Sequence, residues 1–173
     1  NPMVLFDGST SKIDLQLPTG TGVVSTGNLN FTTTATDKKG ASVVVFEAKT
    51  PNGGTIQKSF EIKDKGFEIT ENIKIANQNL TNAPTLVWDN KLQVLENDID
   101  ENRKSAQINY LTKEEDFEDL GLNSLKDEEE KSKLPIKWFS FKQKYFTSGV
   151  VSTGSEFENA SFSLKTPTDD LNI

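Results

Sequence analysis

Short runs of alternating apolar and polar residues, separated by turn-forming residues, limit what this chain can fold into more than any other feature. Ile56, Phe60 and Ile62 stand at even spacing between polar neighbours, which is the two-residue period of a strand with one buried face. Gly, Asn, Asp and Pro cluster on both sides of this run, at residues 51–54 and 64–66, and these residue types favour turns. Apolar spacing typical of helices is almost absent, so the sequence predicts an all-β fold.

Four consecutive strands are predicted between residues 29 and 75. A Thr-rich segment at 29–36 is followed by runs rich in β-branched and aromatic residues at 43–48, 56–62 and 67–75. The turn sequences between them are short, and strands joined by short turns pair antiparallel. Later runs with the same texture predict further strands at residues 86–88, 92–94, 106–111, 138–151 and 160–164.

The acidic segment at residues 113–133 is the exception to this texture. Phe117, Leu120 and Leu125 form a narrow apolar stripe there among many carboxylates, which predicts a short helix or loop. Such a run is either an acidic docking surface or a solvated excursion from the sheet. The second interpretation is favoured, because a run of charges is typical of a solvated face.

The composition excludes large classes of chemistry. The 173 residues include neither cysteine nor histidine, which removes thiol nucleophiles, disulfides, metal sites built from these residues and every catalytic arrangement that needs an imidazole. Carboxylates are plentiful, but acid–base catalysis needs two of them positioned in a cleft. A hydrolase that uses paired carboxylates therefore stays open, with only composition behind it.

The charge and the hydropathy pattern exclude further partners. With 19 basic and 26 acidic residues the chain carries a net charge of −7, so it repels a phosphate backbone or an anionic lipid surface, and we predict no nucleic-acid binding. The longest apolar run, residues 43–46, is far below the roughly 20 residues that cross a bilayer. No membrane contact is expected from this sequence itself, and its start at Asn1 predicts a fragment excised from a larger protein.

One segment imitates a calcium-binding loop. Asp98, Asp100 and Asn102 occupy positions one, three and five of such a loop. Position six requires glycine and is Arg103, while position twelve requires a bidentate glutamate and is Asn109. The sequence therefore favours a polar loop without a metal.

The aromatic segment at residues 136–146 is the most informative candidate site. Five aromatic residues stand there with three interleaved lysines, Lys137, Lys142 and Lys144. A stacking platform for sugars or bases is one interpretation, and a central strand that carries aromatic side chains to both of its faces is the other, favoured one. The residues expected in the core are Phe60, Ile62, Phe67, Ile69, Trp88, Trp138, Phe141, Tyr145 and Phe146.

An ordered set of motifs resembles the large periplasmic domain of the bacterial membrane protein insertase YidC. The set runs from residues 86–88 through a strand containing a tyrosine and an acidic loop to the sequence WFSFKQKYFTSGVV. Its motif residues are Trp88, Tyr110, Trp138, Phe141, Gln143, Tyr145 and Phe146. The opening residues 4–12 resemble the Bacteroidetes branch of this family.

The resemblance implies a fold and a location. The expected fold is an antiparallel β-supersandwich of the galactose mutarotase-like class, as one periplasmic domain over residues 1–173 of an inner-membrane protein. Family domains are longer than this chain, so the domain is expected to be incomplete at both ends.

The resemblance also implies a function without catalysis. The domain is expected to be an interaction scaffold near the Sec translocon, with SecDF, SecYEG and nascent membrane proteins as partners through the full-length protein, and to assist the integration and folding of inner-membrane proteins. No catalytic, cofactor or metal residue is implied. A free-standing carbohydrate-binding β-sandwich is the alternative, because the aromatic residues and Asn-rich loops of this chain are suited to binding sugars.

Overall fold

The computed structural model describes residues 8–92, 98–121, 127–132 and 134–165, and these residues are mostly antiparallel strands. The all-β antiparallel fold class is therefore confirmed, while its galactose mutarotase-like class stays a prediction. The described chain divides into two compact units, an amino-terminal unit (8–91) and a carboxy-terminal unit (92–165). The single domain over residues 1–173 also stays a prediction.

The amino-terminal unit contains seven strands among its described residues. They are β1 (Ser11–Thr19), β2 (Gly22–Ser25), β3 (Thr32–Lys38), β4 (Ala41–Lys49), β5 (Thr55–Lys63), β6 (Ile69–Ala76) and β7 (Thr85–Asn90). Strands β3, β4, β5 and β6 form a four-stranded sheet in this order, with antiparallel pairing throughout. The four consecutive strands predicted from the sequence are confirmed.

The core of the amino-terminal unit lies between this sheet and a three-stranded sheet of order β2-β1-β7. Leu15 and Leu17 of β1 are buried together with Ile56 of β5. Ile13, Leu15 and Leu17 alternate with polar residues, so β1 has a strand signal that the sequence analysis missed.

The carboxy-terminal unit consists of one helix and six strands among its described residues. They are α1 (Ile99–Ser105), β8 (Gln107–Thr112), β9 (Phe117–Gly121), β10 (Glu128–Ser132), β11 (Ile136–Lys142), β12 (Thr147–Val151) and β13 (Ala160–Leu164). One sheet has the order β12-β11-β8-β9, and β10 pairs with β13 in a second sheet. The two sheets share a core in which Ile108, Tyr110 and Ile136 are buried with Phe162 and Leu164.

The strand β11 is central, as predicted, because it lies between β12 and β8. Phe139 and Phe141 on this strand pack against the core. Trp138 points to the other side of the sheet, where its ring lies 6.1 Å from that of Phe117, since neighbouring residues of a strand face opposite sides. The predicted strand at 160–164 coincides with β13, and the predicted strand at 106–111 overlaps β8.

The prediction of a helix or loop at residues 113–133 is wrong for the described part of that segment, which contains the strands β9 and β10. Leu120 pairs with Ile108 across the sheet and is buried. The energy gained by this pairing and burial overrides the weak helical stripe. Leu125 and its neighbours at 122–126 lie outside the described residues, as does Val94 of the strand predicted at 92–94.

The calcium-like segment is the start of helix α1 rather than a polar loop. The Asp98 side chain accepts a hydrogen bond from the Glu101 amide at 3.0 Å and so caps the helix. Asp100 and Glu101 stand in the first turn, where a carboxylate is favoured by the helix dipole. The carboxylates that imitated a metal loop therefore serve the helix amino terminus.

Four of the residues expected in the core are exposed, so those predictions are wrong. Phe67 lies in the connection between β5 and β6, and Ile62 and Ile69 pair with each other at the end of the sheet next to that connection. Tyr145 lies in the turn between β11 and β12. The two-residue period of a strand shows on which face of the sheet a side chain lies. It does not show how much of that strand is covered by a second layer of the fold.

Candidate functional site

The structure brings six of the seven motif residues into the carboxy-terminal unit. Tyr110 lies on β8, Trp138 and Phe141 lie on β11, and Gln143, Tyr145 and Phe146 lie in the turn that leads to β12. The seventh, Trp88, lies on β7 of the amino-terminal unit, where its indole nitrogen donates to the Ser11 hydroxyl at 3.0 Å. This hydrogen bond joins two paired strands, β7 and β1.

Tyr110 is the most constrained residue of the motif. Its side chain is 2% exposed, and its ring stacks on that of Phe162 with 4.8 Å between ring centroids. The hydroxyl donates a 2.6 Å hydrogen bond to the Glu130 carboxylate. Burial, followed by this hydrogen bond and by the negative charge of Glu130, raises the pKa of Tyr110 well above its ordinary value. Burial, ring stacking and this hydrogen bond make Tyr110 a structural anchor.

The turn from β11 to β12 is fixed by contacts of the motif residues and their neighbours. The main-chain N–H of Gln143 donates a hydrogen bond to the main-chain carbonyl of Phe146 at 2.7 Å. Lys144 makes an ion pair with Glu101 at 2.9 Å, and its ammonium group lies 5.3 Å from the centre of the Tyr145 ring. The lysine thereby ties the turn to helix α1.

A partly exposed row of apolar side chains crosses the side of the sheet that faces away from the core. Val151, Trp138, Leu111 and Phe117 are register partners on the four strands β12, β11, β8 and β9. Phe117 is 58% exposed and Val151 is 66% exposed. We call this row the outer strip; it was missed because the partners come from strands distant in sequence.

Asp14 organises a polar cluster that the sequence analysis also missed. Its carboxylate accepts hydrogen bonds from the Ser25 hydroxyl at 2.7 Å, the Thr26 hydroxyl at 2.8 Å and the Gly27 amide at 2.8 Å. Partial burial alone would raise the pKa of Asp14, but these three bonds and the positive charge of Lys58 outweigh it and lower the pKa. The cluster fixes the chain where β2 ends against β1.

A groove lies at the beginning of strand β3 in the amino-terminal unit. Its volume is about 540 Å³, within the range of small-molecule sites. The lining residues are Asn28, Leu29, Asn30, Thr32, Glu47, Ala48, Lys49, Thr50 and Pro51. The lining is mixed: Leu29, Ala48 and Pro51 are apolar, while Glu47 and Lys49 give the wall charges of both signs.

The described residues hold no group of three or more carboxylates arranged for a metal ion. The two side chains with shifted pKa values, Asp14 and Tyr110, lie in different units and serve as anchors. Among the motif residues, Tyr110 and Phe141 lie in or against the core, and Trp88 is anchored to β1.

Comparison with known families decides the relationship of the chain. A family model described as the YidC periplasmic domain matches residues 1–172. The chain belongs to the YidC periplasmic domain family. The resemblance found in the sequence motifs is thus confirmed.

Two curated YidC proteins are similar to this chain. The membrane protein insertase YidC of Cytophaga hutchinsonii is 30% identical over 150 residues, which cover 85% of this chain and 24% of that protein. The membrane protein insertase YidC of Amoebophilus asiaticus is 26% identical over 175 residues, which cover 96% of this chain and 29% of that protein. This YidC-family chain therefore spans about a quarter of the length of these relatives.

No solved structure matches this YidC-family chain. Among the residues that the structure describes, no helix has both the length and the apolar character needed to cross a membrane. Membership in the YidC family favours the insertase interpretation over a free-standing carbohydrate-binding module.

Proposed function

We propose that this chain is a non-catalytic part of the periplasmic domain of a membrane protein insertase of the bacterial inner membrane. It acts there as an interaction scaffold that assists the integration and folding of membrane proteins. Its partners, reached through the full-length protein, are the Sec components SecDF and SecYEG and nascent membrane proteins. The family match over residues 1–172 is the observation that carries this proposal.

The chemistry of the described residues supports a scaffold. The buried motif residue Tyr110 forms part of the core, and Trp88 hydrogen-bonds a neighbouring strand. The outer strip presents apolar side chains on a stable sheet, and surfaces of this kind mark protein contacts.

The test is association with purified Sec complexes. The full-length insertase, and the same protein without residues 1–173, are each mixed with detergent-purified SecDF or SecYEG, and co-purification is measured. We expect the deletion to reduce recovery of at least one complex. Equal recovery with and without these residues contradicts the scaffold proposal.

Carbohydrate binding is a second candidate, favoured by one observation. Phe117 is exposed beside Trp138, and exposed aromatic rings suit the apolar faces of sugars. Calorimetric titration of the chain with soluble polysaccharides, beside a Phe117→Ala variant, tests it. Binding that the variant loses supports this candidate, and no heat of binding with any polysaccharide removes it.

A further inference from the structure

We propose that strand β3 is a docking edge for an extended polypeptide, which adds to the four-stranded sheet as a fifth strand. The inference deepens the proposed scaffold function, on which its biological meaning rests, by naming the chemistry of a partner.

Strand β3 is an edge of its sheet and is fully open to solvent. It pairs with β4 on one side, and among the described residues no strand pairs with its other side. All seven residues, Thr32–Lys38, are exposed. Their pairing with β4 is continuous, without a bulge, so the edge is not twisted away from a partner.

The register shows which main-chain groups of β3 point outward. The Thr50 amide donates to the Gly54 carbonyl, so the even-numbered residues of β4 bond to β5, because bonding alternates along an antiparallel strand. The odd-numbered residues of β4 then bond to their partners Thr32, Thr34 and Thr36. Thr33, Ala35 and Asp37 are left to direct their N–H and C=O groups away from the sheet.

A row of outward N–H and C=O groups at every second residue specifies its occupant. Only another extended backbone offers acceptors and donors at the same spacing, which is why sheet edges bind peptides by strand addition. Native proteins protect such edges with charged side chains, prolines or bulges. Residues 32–36 carry none of these protections, and the charged residues of β3, Asp37 and Lys38, stand at its end. The opposite edge, β6, carries Glu71 and Lys74 within the strand.

The side chains around β3 indicate the pattern of the partner. Ala35 continues a row with its register partners Val44 and Phe60, so an added strand gains by placing apolar residues on that face. The other face presents Thr32, Thr34 and Thr36, which suit polar side chains. The partner is an extended segment of alternating apolar and polar residues. A second copy of β3 lacks this alternation, because its residues on that face are Thr33, Ala35 and Asp37.

Peptide binding to the 173-residue chain tests the inference. The probe is a fluorescein-labelled peptide of about ten residues with alternating valine and threonine and a lysine at each end, and binding is measured by fluorescence anisotropy. Ala35→Pro removes one outward N–H without breaking the ladder to β4. We expect it to weaken binding about tenfold, as the loss of one main-chain hydrogen bond and the fit around it predicts. Ala35→Val keeps the N–H and enlarges the apolar side chain, so it should not weaken binding.

A second measurement tests the inference even if circular dichroism shows that the Ala35→Pro variant does not fold. The same peptide, N-methylated at two adjacent residues so that both of its edges are blocked, is expected not to bind the unaltered chain. Equal binding of both peptides, equal binding by the Pro and Val variants, or no binding at all overturns the inference. A dimer in sedimentation that Ala35→Pro dissociates assigns the edge to a second copy and also overturns it. None of these outcomes involves Sec components, so the scaffold proposal is tested separately.

Discussion

Removing the hydroxyl of Tyr110 should destabilise the carboxy-terminal unit by a predictable amount. In Tyr110→Phe the ring keeps its stacking on Phe162, and only the 2.6 Å hydrogen bond to Glu130 is lost. A hydrogen bond to a charged group contributes about 1.5–3 kcal/mol to the free energy of unfolding. For a chain of this size that corresponds to a fall in melting temperature of roughly 3–12 °C.

The same hydrogen bond gives the stability of the chain an alkaline pH dependence. Burial and the Glu130 contact raise the pKa of Tyr110 in the folded state, whereas an unfolded tyrosine loses its proton near pH 10. The folded state therefore holds the proton more tightly, and its contribution is complete below about pH 10 and falls as the pH rises further. The stability difference between the unaltered chain and Tyr110→Phe should shrink above this pH.

Denaturant unfolding at pH 7 and pH 11 measures both effects. The chain has two tyrosines, so Tyr145→Phe, at an exposed position, is the matched control and should unfold like the parent. In that control Tyr110 is the remaining phenol, and absorbance at 295 nm follows its titration directly. A Tyr110→Phe variant as stable as Tyr145→Phe at pH 7, or a phenol that titrates near pH 10, refutes the reasoning.

Three further substitutions test other parts of the fold. Asp14→Ala removes three hydrogen bonds and should lower the free energy of unfolding at neutral pH. Because the pKa of Asp14 is lowered in the folded state, this destabilisation should disappear as the pH falls below about 4, which urea titrations at several pH values measure. Ile56→Ala, at a fully buried position, should lower the free energy of unfolding by about 2–5 kcal/mol, and a change below 1 kcal/mol in chemical denaturation would show that the core is misplaced. Gly149→Ala places a methyl group 2.6 Å from the Phe139 carbonyl oxygen and should cost about 1–3 kcal/mol, whereas Gly154→Ala, with nothing within 4 Å, should unfold like the parent.

The sequence predicted the strands whose signals are local. The sheet of β3, β4, β5 and β6 followed from runs of β-branched residues separated by short turn sequences. The central position of β11 followed from aromatic residues on both of its faces. Here the two-residue period, the turn chemistry and the burial agree, so neighbouring strands pair with each other as the sequence suggests.

What the sequence could not predict depends on pairing partners that lie outside the segment concerned. Residues 117–121 form a strand because Leu120 pairs with Ile108. The sequence of the acidic segment itself does not indicate that pairing. The outer strip joins Val151 to Phe117 across four strands and is invisible in any short window. Local patterns fix which face a residue occupies, while strand order fixes what covers it.

The same distinction separates side chains enclosed in the core from groups that a partner can reach. Tyr110 lies in the core and Phe141 packs against it, so these two side chains are not available to bind a partner. Binding by the main chain must use groups that the fold leaves unsatisfied. The outward N–H and C=O groups of Thr33 and Ala35 are such groups, and β3 is an edge because β2 pairs with β1 instead of with β3. The substitution that separates these two classes is Ala35→Pro, which should leave the core intact and still reduce peptide binding, whereas Tyr110→Phe should lower stability and leave peptide binding unchanged.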